Sequence, residues 1–320
     1  MAGVLAQIAA TFEGRGRMQL TFHTLDVFTE TRFGGNPLAV VLDAGALSAE
    51  QMQIIARELN LSETVFVLPA ENPAHSARMR IFTPLKEIPF AGHPTVGTAA
   101  LLAELRLHSA GAEQDALVVL EQTCGTLRVG VRIRPGHAPY ADFDAPRLPA
   151  EAGVLPPVDK LAASVSLIPS EIGFENHRPA CFAAGNAFAF IPVSTREAMA
   201  RARIEPGPWA ETLREQGLVG AYLYTRQCEL QASSFHARMF APDFGIPEDP
   251  ATGSAVVCLA GAIHHFDRLP DGDYKRVIEQ GFEMQRPSLI TLSMAVQGGK
   301  LSNVRIGGHS VRVSEGSLTL

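Results

Sequence analysis

The stretch that decides the fold reads Phe90-Ala-Gly-His-Pro-Thr-Val-Gly-Thr-Ala99. Gly92, His93 and Pro94 break the preceding pattern, and residues 95–105 carry Ala and Leu at helical spacing. The stretch therefore predicts a turn that leads into a helix. Because the first N–H groups of a helix lack backbone partners and carry partial positive charge, this turn suits a carboxylate or a phosphate.

The same pattern occurs a second time, in Glu248-Asp-Pro-Ala-Thr-Gly-Ser-Ala255. A second apolar helix is predicted to follow, to about residue 264. At an offset of 156 residues (94 to 250), the two copies match at Pro94 and Pro250, Gly97 and Gly253, Thr98 and Ser254, and Ala99 and Ala255.

Two further pairs of segments extend the repeat. Arg80-Ile-Phe-Thr-Pro84 matches Arg238-Met-Phe-Ala-Pro242 at an offset of 158 residues (80 to 238), and Gly35-Asn36 matches Gly185-Asn186 at 150 (35 to 185). Three pairs in the same order predict two copies of one domain. If the copies face each other, their two helix starts meet at one cleft, which suits a small anionic molecule.

The composition bounds the class of protein. A chain of 320 residues that is 46% hydrophobic and 19% charged is typical of two globular domains. The net charge of −6 gives no reason to expect nucleic acid or an anionic membrane as a partner, and no apolar run reaches the roughly 18–20 residues of a membrane span. The four cysteines show no C-x-x-C pattern and are interpreted as reduced thiols of a cytoplasmic protein without a signal peptide.

The predicted fold class is α+β, with two pseudo-symmetric domains. Each domain is expected to be a barrel-like, mostly antiparallel sheet around a central helix, because a helix that is apolar all round must be wrapped by sheet. The predicted organisation is an N-terminal extension, disordered or added (1–17), a first domain (18–140), a Pro-rich linker (141–160) and a second domain (161–320) whose last strand returns to the first.

Two local elements have defined predicted boundaries. Ser48–Leu59 is expected to be an amphipathic helix in which Ser48 and Gln51 form a capping box. Residues 117–121 and 126–133 are expected to pair as a hairpin around Cys124-Gly125.

Glu63 is the first candidate for chemistry. It lies in a polar Asn-Leu-Ser-Glu-Thr turn before an apolar strand, where partial burial would raise the carboxyl pKa and suit general acid/base catalysis. The same position also suits a surface carboxylate or a helix cap.

His93 and Asp249 are the second pair of candidates, since they occupy equivalent places before the two helix starts. Their pairing predicts a shared cleft, although His93 also suits a structural role and Asp249 a helix cap. Gly253 and Ser254 are candidates to donate hydrogen bonds to a substrate oxygen, or simply to satisfy the helix end. Because no phosphate-binding glycine motif, G-x-S-x-G motif or well-spaced metal pair is present, acid/base chemistry without a cofactor is the simplest interpretation.

At these residues the chain resembles the phenazine biosynthesis PhzF-like family. The matching motifs are Asp26-Val-Phe28 with Gly35-Asn36-Pro37, Asn60-Leu-Ser-Glu63-Thr64, Pro89 to Thr98, Arg238-Met-Phe-Ala-Pro242, and Glu248 to Ser254. The resemblance implies the diaminopimelate-epimerase-like fold and a cytoplasmic, homodimeric enzyme without a cofactor that binds a small anionic carboxylic acid.

The resemblance also implies roles for individual residues. In the phenazine pathway the reaction is isomerisation of trans-2,3-dihydro-3-hydroxyanthranilate, in which Glu63 would take and return a proton. His93 and Asp249 would bind and polarise the substrate, while Gly92, Gly253 and Ser254 would hold its carboxylate. Related racemases use two thiols at the helix starts, and neither start contains Cys here. The alternatives are an epimerase or racemase of another amino or hydroxy acid, and a catalytically silent binding protein of the same fold.

Overall fold

The computed structural model describes residues 18–107 and 112–320, so the predicted N-terminal extension lies outside the described residues. The strands are β1 Gln19–Val27, β2 Asn36–Val41, β3 Glu63–Leu68, β4 Ala77–Phe82, β5 Glu87–Ile88, β6 Gln114–Gln122, β7 Gly125–Ile133, β8 Tyr140–Asp144, β9 Ala150–Glu151, β10 Ala180–Ala183, β11 Ala187–Pro192, β12 Gly220–Thr225, β13 Phe235–Ala241, β14 Ile246–Asp249, β15 Gly272–Gln280, β16 Ser288–Gln297 and β17 Lys300–Thr319. The helices are α1 Ala49–Leu59, α2 Gly92–Leu107, α3 Val158–Ser164, α4 Arg196–Arg201, α5 Pro206–Trp209 and α6 Gly253–Asp267, with short 3-10 turns at Ala44–Ala46, Pro169–Glu171 and Pro242–Phe244 and a π-helical turn at Ala210–Arg214.

The strand pairings repeat between the two halves. In the first half β2 and β3 are parallel, β3 and β4 antiparallel, β4 and β6 parallel, and β6, β7 and β8 successively antiparallel. In the second half β11, β12, β13, β15, β16 and β17 follow the same order and directions. The register repeats as well, since Thr64 lies opposite Phe82 and Ala221 lies opposite Phe240. The predicted duplication is therefore confirmed at the level of individual residue pairs.

Strand β17 joins the halves. Residues 300–307 pair with β16 of the second half, residues 305–309 pair with β8, and residues 310–319 pair with β1. This long strand thus runs from the second half into the first and pairs with β8 and β1 there. Strand β8 lies almost entirely within residues 141–160, the segment predicted to be a Pro-rich linker. This segment forms a strand because alternate residues of β8 pack into the first core despite the neighbouring prolines.

A central helix fills each barrel. Helix α2 is buried from Gly92 to Ala103 and helix α6 from Ala255 to Ile263, and one continuous apolar core surrounds both. The expectation of two helices wrapped by sheet is confirmed. Helix α2 begins three residues earlier than the predicted Thr95. Pro94 does not prevent this, because the N–H groups of the first helical turn have no hydrogen-bond partner within the helix, and a proline there loses no such bond.

The two local predictions are confirmed. Ser48 caps α1 in a capping box with Gln51, and β6 and β7 form the hairpin that turns at residues 123–124. No helix within residues 18–107 and 112–320 is long and apolar enough to span a membrane.

The duplication is broken at the first residue of β3 and β12. Leu38 lies beside Glu63 in one half, and the equivalent Phe188 lies beside Gly220 in the other. A Cβ atom at Gly220 would lie 2.2 Å from the carbonyl oxygen of Phe240. The second half therefore has no room for a counterpart of Glu63.

We expect Gly220→Ala to lower the free energy of unfolding by about 1–3 kcal/mol, as overpacking does at a crowded site. Urea denaturation should be compared with Gly207→Ala, an exposed glycine whose added Cβ would meet no atom within 4 Å. Equal stability of the two variants would contradict the steric account.

Candidate active site

Glu63 is a buried carboxyl group without a hydrogen-bond partner on one oxygen. It is the first residue of β3 rather than part of the predicted turn, and its side chain points into the protein with 8% of the residue exposed. Its Oε2 atom has no hydrogen-bond partner among the described residues. Burial, and then the charge of Asp249, raise the pKa of Glu63 well above its usual range.

His93 faces Glu63 from the first turn of α2. Its Nε2 atom lies 3.3 Å from Glu63 Oε2, and this nitrogen also lacks a hydrogen-bond partner in the described part of the chain. Burial lowers the pKa of His93 to about 3. At neutral pH the contact therefore joins a neutral imidazole and a carboxyl group rather than an ion pair.

Asp249 completes the buried group from the second half. Its Oδ1 accepts a hydrogen bond from Asn36 Nδ2 (2.8 Å) and its Oδ2 accepts one from Thr252 Oγ1 (2.5 Å). Burial raises the pKa of Asp249 to about 6, while the two hydrogen bonds oppose the shift and the charge of Glu248 adds to it. Asp249 is thus not the helix cap considered in the sequence, since Thr252 is the residue that precedes α6.

The two helix starts meet at Gly92 and Gly253. A Cβ atom at Gly92 would lie 3.1 Å from Gly253 Cα, and one at Gly253 would lie 2.8 Å from the Ile306 side chain. A side chain at either position would push the neighbouring helix or Ile306 aside, so glycine favours this close approach. The hydroxyl of Thr252 donates to Asp249 instead of capping α6, so the first N–H groups of this helix have no side-chain cap.

Asn36 is a site residue that sequence analysis did not single out. Besides Asp249, its Nδ2 donates to the carbonyl of Ala251 (2.8 Å), so the first half holds the turn before α6. Asn36 is fully buried, and its Oδ1 has no partner among the described residues. Its presence in both copies of the Gly-Asn motif was the available signal, but Asn186 is exposed and makes no equivalent contact.

Two more side chains support the site, Gln280 of β15 at the turn before α6 and Arg286 of the following loop at the turn before Asn36. Gln280 donates to the carbonyl of Asp249 (2.7 Å) and accepts from the backbone N–H of Thr252 (3.2 Å). Arg286 donates to Asp26 (2.5 Å) and to the carbonyls of Gly34 (2.7 Å) and Gly35 (2.8 Å), just before Asn36. These contacts join residues about 30 to 260 positions apart in the chain, and no local sequence pattern predicts them.

The structure therefore brings together Glu63, His93, Asp249, Gly92 and Gly253. Ser254 follows in the first turn of α6, where its half-buried side chain lines an open cavity that Glu63, His93 and Asp249 do not line. Within the described residues no three His, Cys, Asp or Glu side chains are grouped as metal ligands. The buried group offers two carboxyls with raised pKa values and a neutral imidazole beside the starts of α2 and α6, an arrangement suited to binding an acid and moving a proton.

The raised pKa of Glu63 predicts a pH-dependent cost to stability. The folded protein keeps a proton on Glu63 that the unfolded chain releases above about pH 4.5, so this contribution to stability is lost as pH rises. Glu63→Gln removes the titrating group. We expect the stability of this variant relative to wild type to increase from pH 5 to pH 8 in urea titrations.

The matched control is Glu58→Gln, which removes an exposed carboxyl on α1. A Glu63→Gln difference that stays constant with pH, or falls, would show that Glu63 is not destabilised as a buried carboxylate.

The chain is similar to several known proteins. The family model described as "Phenazine biosynthesis-like protein" matches residues 25–316. An uncharacterized isomerase of Mesorhizobium japonicum is 49% identical over 92% of this chain and 96% of its own, and the trans-2,3-dihydro-3-hydroxyanthranilate isomerase of Pseudomonas chlororaphis is 33% identical over 92% and 98%. The crystal structure of a PhzF-family phenazine biosynthesis protein of Bacillus anthracis aligns with a TM-score of 0.84 at 25% identity, over 95% of this chain and 100% of that one. The chain therefore belongs to the phenazine biosynthesis-like family, has its epimerase-like fold, and is an isomerase.

Proposed function

We propose that the chain moves a proton on a small cyclic or unsaturated carboxylic acid without a cofactor, in a reaction similar to that of trans-2,3-dihydro-3-hydroxyanthranilate isomerase. One observation carries the proposal. Glu63 Oε2 and His93 Nε2 lie 3.3 Å apart, both buried and both without a hydrogen-bond partner in the described residues, beside the two helix starts. A buried polar atom without a hydrogen-bond partner lowers the stability of the fold. A substrate that forms hydrogen bonds with these two atoms would explain why the protein has them.

The substrate carboxylate is placed at the helix starts. N–H groups at Gly92 and Gly253 have no intrahelical acceptor, and the partial positive charge of both helices favours an anion there. Ser254 adds a hydroxyl donor from the same turn. The carboxylate is thereby fixed at one end, with the reacting carbons turned towards Glu63.

Glu63 carries the proton. As a carboxylate it breaks a C–H bond by taking the proton, the electron pair moves through the unsaturated system, and the new carboxyl returns the proton to another carbon on the same face. No electrons are lost, so the product is an isomer. A carboxyl whose pKa is raised by burial can act as base and then as acid near neutral pH.

His93 and Asp249 bind and polarise the substrate. Because burial keeps the imidazole of His93 neutral, it can donate one hydrogen bond and accept another without adding charge. Asp249 is fixed by Asn36 and Thr252 and suits a substrate hydroxyl or amino group. Single-face transfer fits the duplication, since the position equivalent to Glu63 is Gly220.

Epimerisation of another amino or hydroxy acid is the second candidate. It is favoured by the equivalent placement of His93 and Asp249 at the two helix starts, where each could serve one face of a stereocentre. Deuterium incorporation together with product identification separates the two: an isomerase moves a double bond, and an epimerase inverts a centre. A silent binding protein incorporates no deuterium. The homodimer and the cytoplasmic location stay predictions.

We expect Glu63→Gln to slow deuterium incorporation from heavy water into a true substrate by about 10²–10⁴-fold, the usual worth of positioned acid/base catalysis. The amide keeps the size of the side chain, so the affinity for 3-hydroxyanthranilate should change little. Nuclear magnetic resonance on a panel of cyclic and unsaturated acids would measure exchange, and calorimetry would measure affinity.

Glu58→Gln is again the control and should exchange at the wild-type rate. Exchange near that rate in Glu63→Gln would remove Glu63 from the role and transfer it to His93 or Asp249. Absence of exchange in the wild-type protein with every acid in the panel would favour the silent binding protein.

A further inference from the structure

An open cavity of about 450 Å³ lies between the two halves, and its lining reaches the start of α6 but includes none of Glu63, His93 and Asp249. It begins at Ser254 in the first turn of α6, one residue after the contact of Gly253 with Gly92. Phe90 and Phe188 provide flat apolar walls from opposite halves. A space of this size and lining is typical of a site for a small organic molecule.

Four polar side chains face this cavity: Ser254, Thr123, Asn186 and Arg147. None of them makes a side-chain hydrogen bond or an ion pair with the residues that the structure describes. Most other arginines in the described part of the chain are paired, for example Arg238, which donates two hydrogen bonds of 2.8 Å to Glu248. The cavity thus combines apolar walls with donors that are free to bind a ligand.

Arg147 gives the cavity its charge. It is the only charged side chain among the described residues that line the cavity, and it comes from the segment between β8 and β9 that crosses from one half to the other. Its guanidinium acts to lower the pKa of the Cys124 thiol in the same cavity, against the larger opposite effect of burial. Its charge therefore reaches into the cavity. The uncapped start of α6 adds partial positive charge at the other end.

We propose that this cavity is a second anion subsite, in which Arg147 binds a carboxylate or similar group at the end of the substrate remote from Glu63. The inference rests on the proposed function and narrows it: the substrate carries two anionic groups on an unsaturated or cyclic frame. One is held at the helix starts by Ser254, and the other is held by Arg147. The part of the frame remote from the reacting carbons lies between Phe90 and Phe188.

Benzoate and the three benzene dicarboxylates are matched probes, since they share one frame and differ in the second charge. In calorimetry with the full chain, we expect at least one dicarboxylate to bind about fivefold more tightly than benzoate, which is the upper end of what an ion pair with an exposed arginine contributes. Arg147→Gln should abolish this gain and leave benzoate affinity within about twofold. Arg147→Lys should retain part of the gain.

Arg57→Gln is the control, because Arg57 is exposed on α1 and does not line the cavity. It should retain the full preference for the dicarboxylate. Ser254→Ala should weaken the affinity for benzoate and for the dicarboxylate equally. If the probes only contacted Arg147 on the surface, this substitution would not change their affinities. Equal affinities of benzoate and all dicarboxylates, no binding of any probe, or a gain that survives Arg147→Gln would each overturn the subsite.

Failure of the subsite and failure of the proposed function give different results. If Arg147→Gln leaves every affinity unchanged but exchange still depends on Glu63, the subsite is wrong and the proton transfer stands. If dicarboxylates bind through Arg147 but the protein exchanges no acid, the subsite stands and the function is wrong.

Discussion

Two helix starts in contact are the constraint on which the rest of the structure depends. Each helix brings unpaired N–H groups and partial positive charge to the point where Gly92 meets Gly253. Two positive ends repel each other, so their contact is favourable only with negative charge or hydrogen-bond acceptors nearby. The protein places the carboxyl groups of Glu63 and Asp249 there, and the proposed substrate adds a carboxylate. Burial then raises the pKa values of the two protein carboxyls, which is what proton transfer near neutral pH requires.

The duplicated fold provides the two helix starts. The positions at which the two halves differ provide the candidate acid/base groups. His93 and Asp249 are equivalent in position but differ in charge type. The position equivalent to Glu63 in the second half is Gly220, and the crowding around Gly220 excludes a second base there. Each half provides one helix start. Asn36 of the first half holds the turn that carries Asp249, and Arg286 of the second half holds the turn before Asn36. We infer that neither half would form this site alone.

Much of this architecture was predictable, because local sequence patterns indicate it. The repeated Pro-x-x-Gly motif and its partners predicted the duplication, and the uniformly apolar helices predicted sheets wrapped around them. The segment containing β8 was harder, since its prolines suggest a linker while its pairing partners in β17 lie about 160 residues away. The start of α2 was placed too late because Pro94 looks like a helix breaker and in fact occupies the first turn.

The site was predictable only in part, because local patterns identify single residues but not the long-range contacts between them. Glu63, His93 and Asp249 stand in compact motifs, and the structure places them together, whereas the supporting contacts of Gln280 and Arg286 depend on the folded register. Burial, which causes the pKa shifts, is also a property of the whole fold. The proton-transfer role of Glu63 remains a proposal that rests on this geometry.

A crystal structure of the protein with 3-hydroxyanthranilate would test the central claim most directly. The account predicts the ligand carboxylate within hydrogen-bond distance of the backbone N–H groups at Gly92 and Gly253, with the ring against Glu63 and His93. A ligand bound with its carboxylate away from both helix starts, or with its ring out of reach of Glu63, would contradict it.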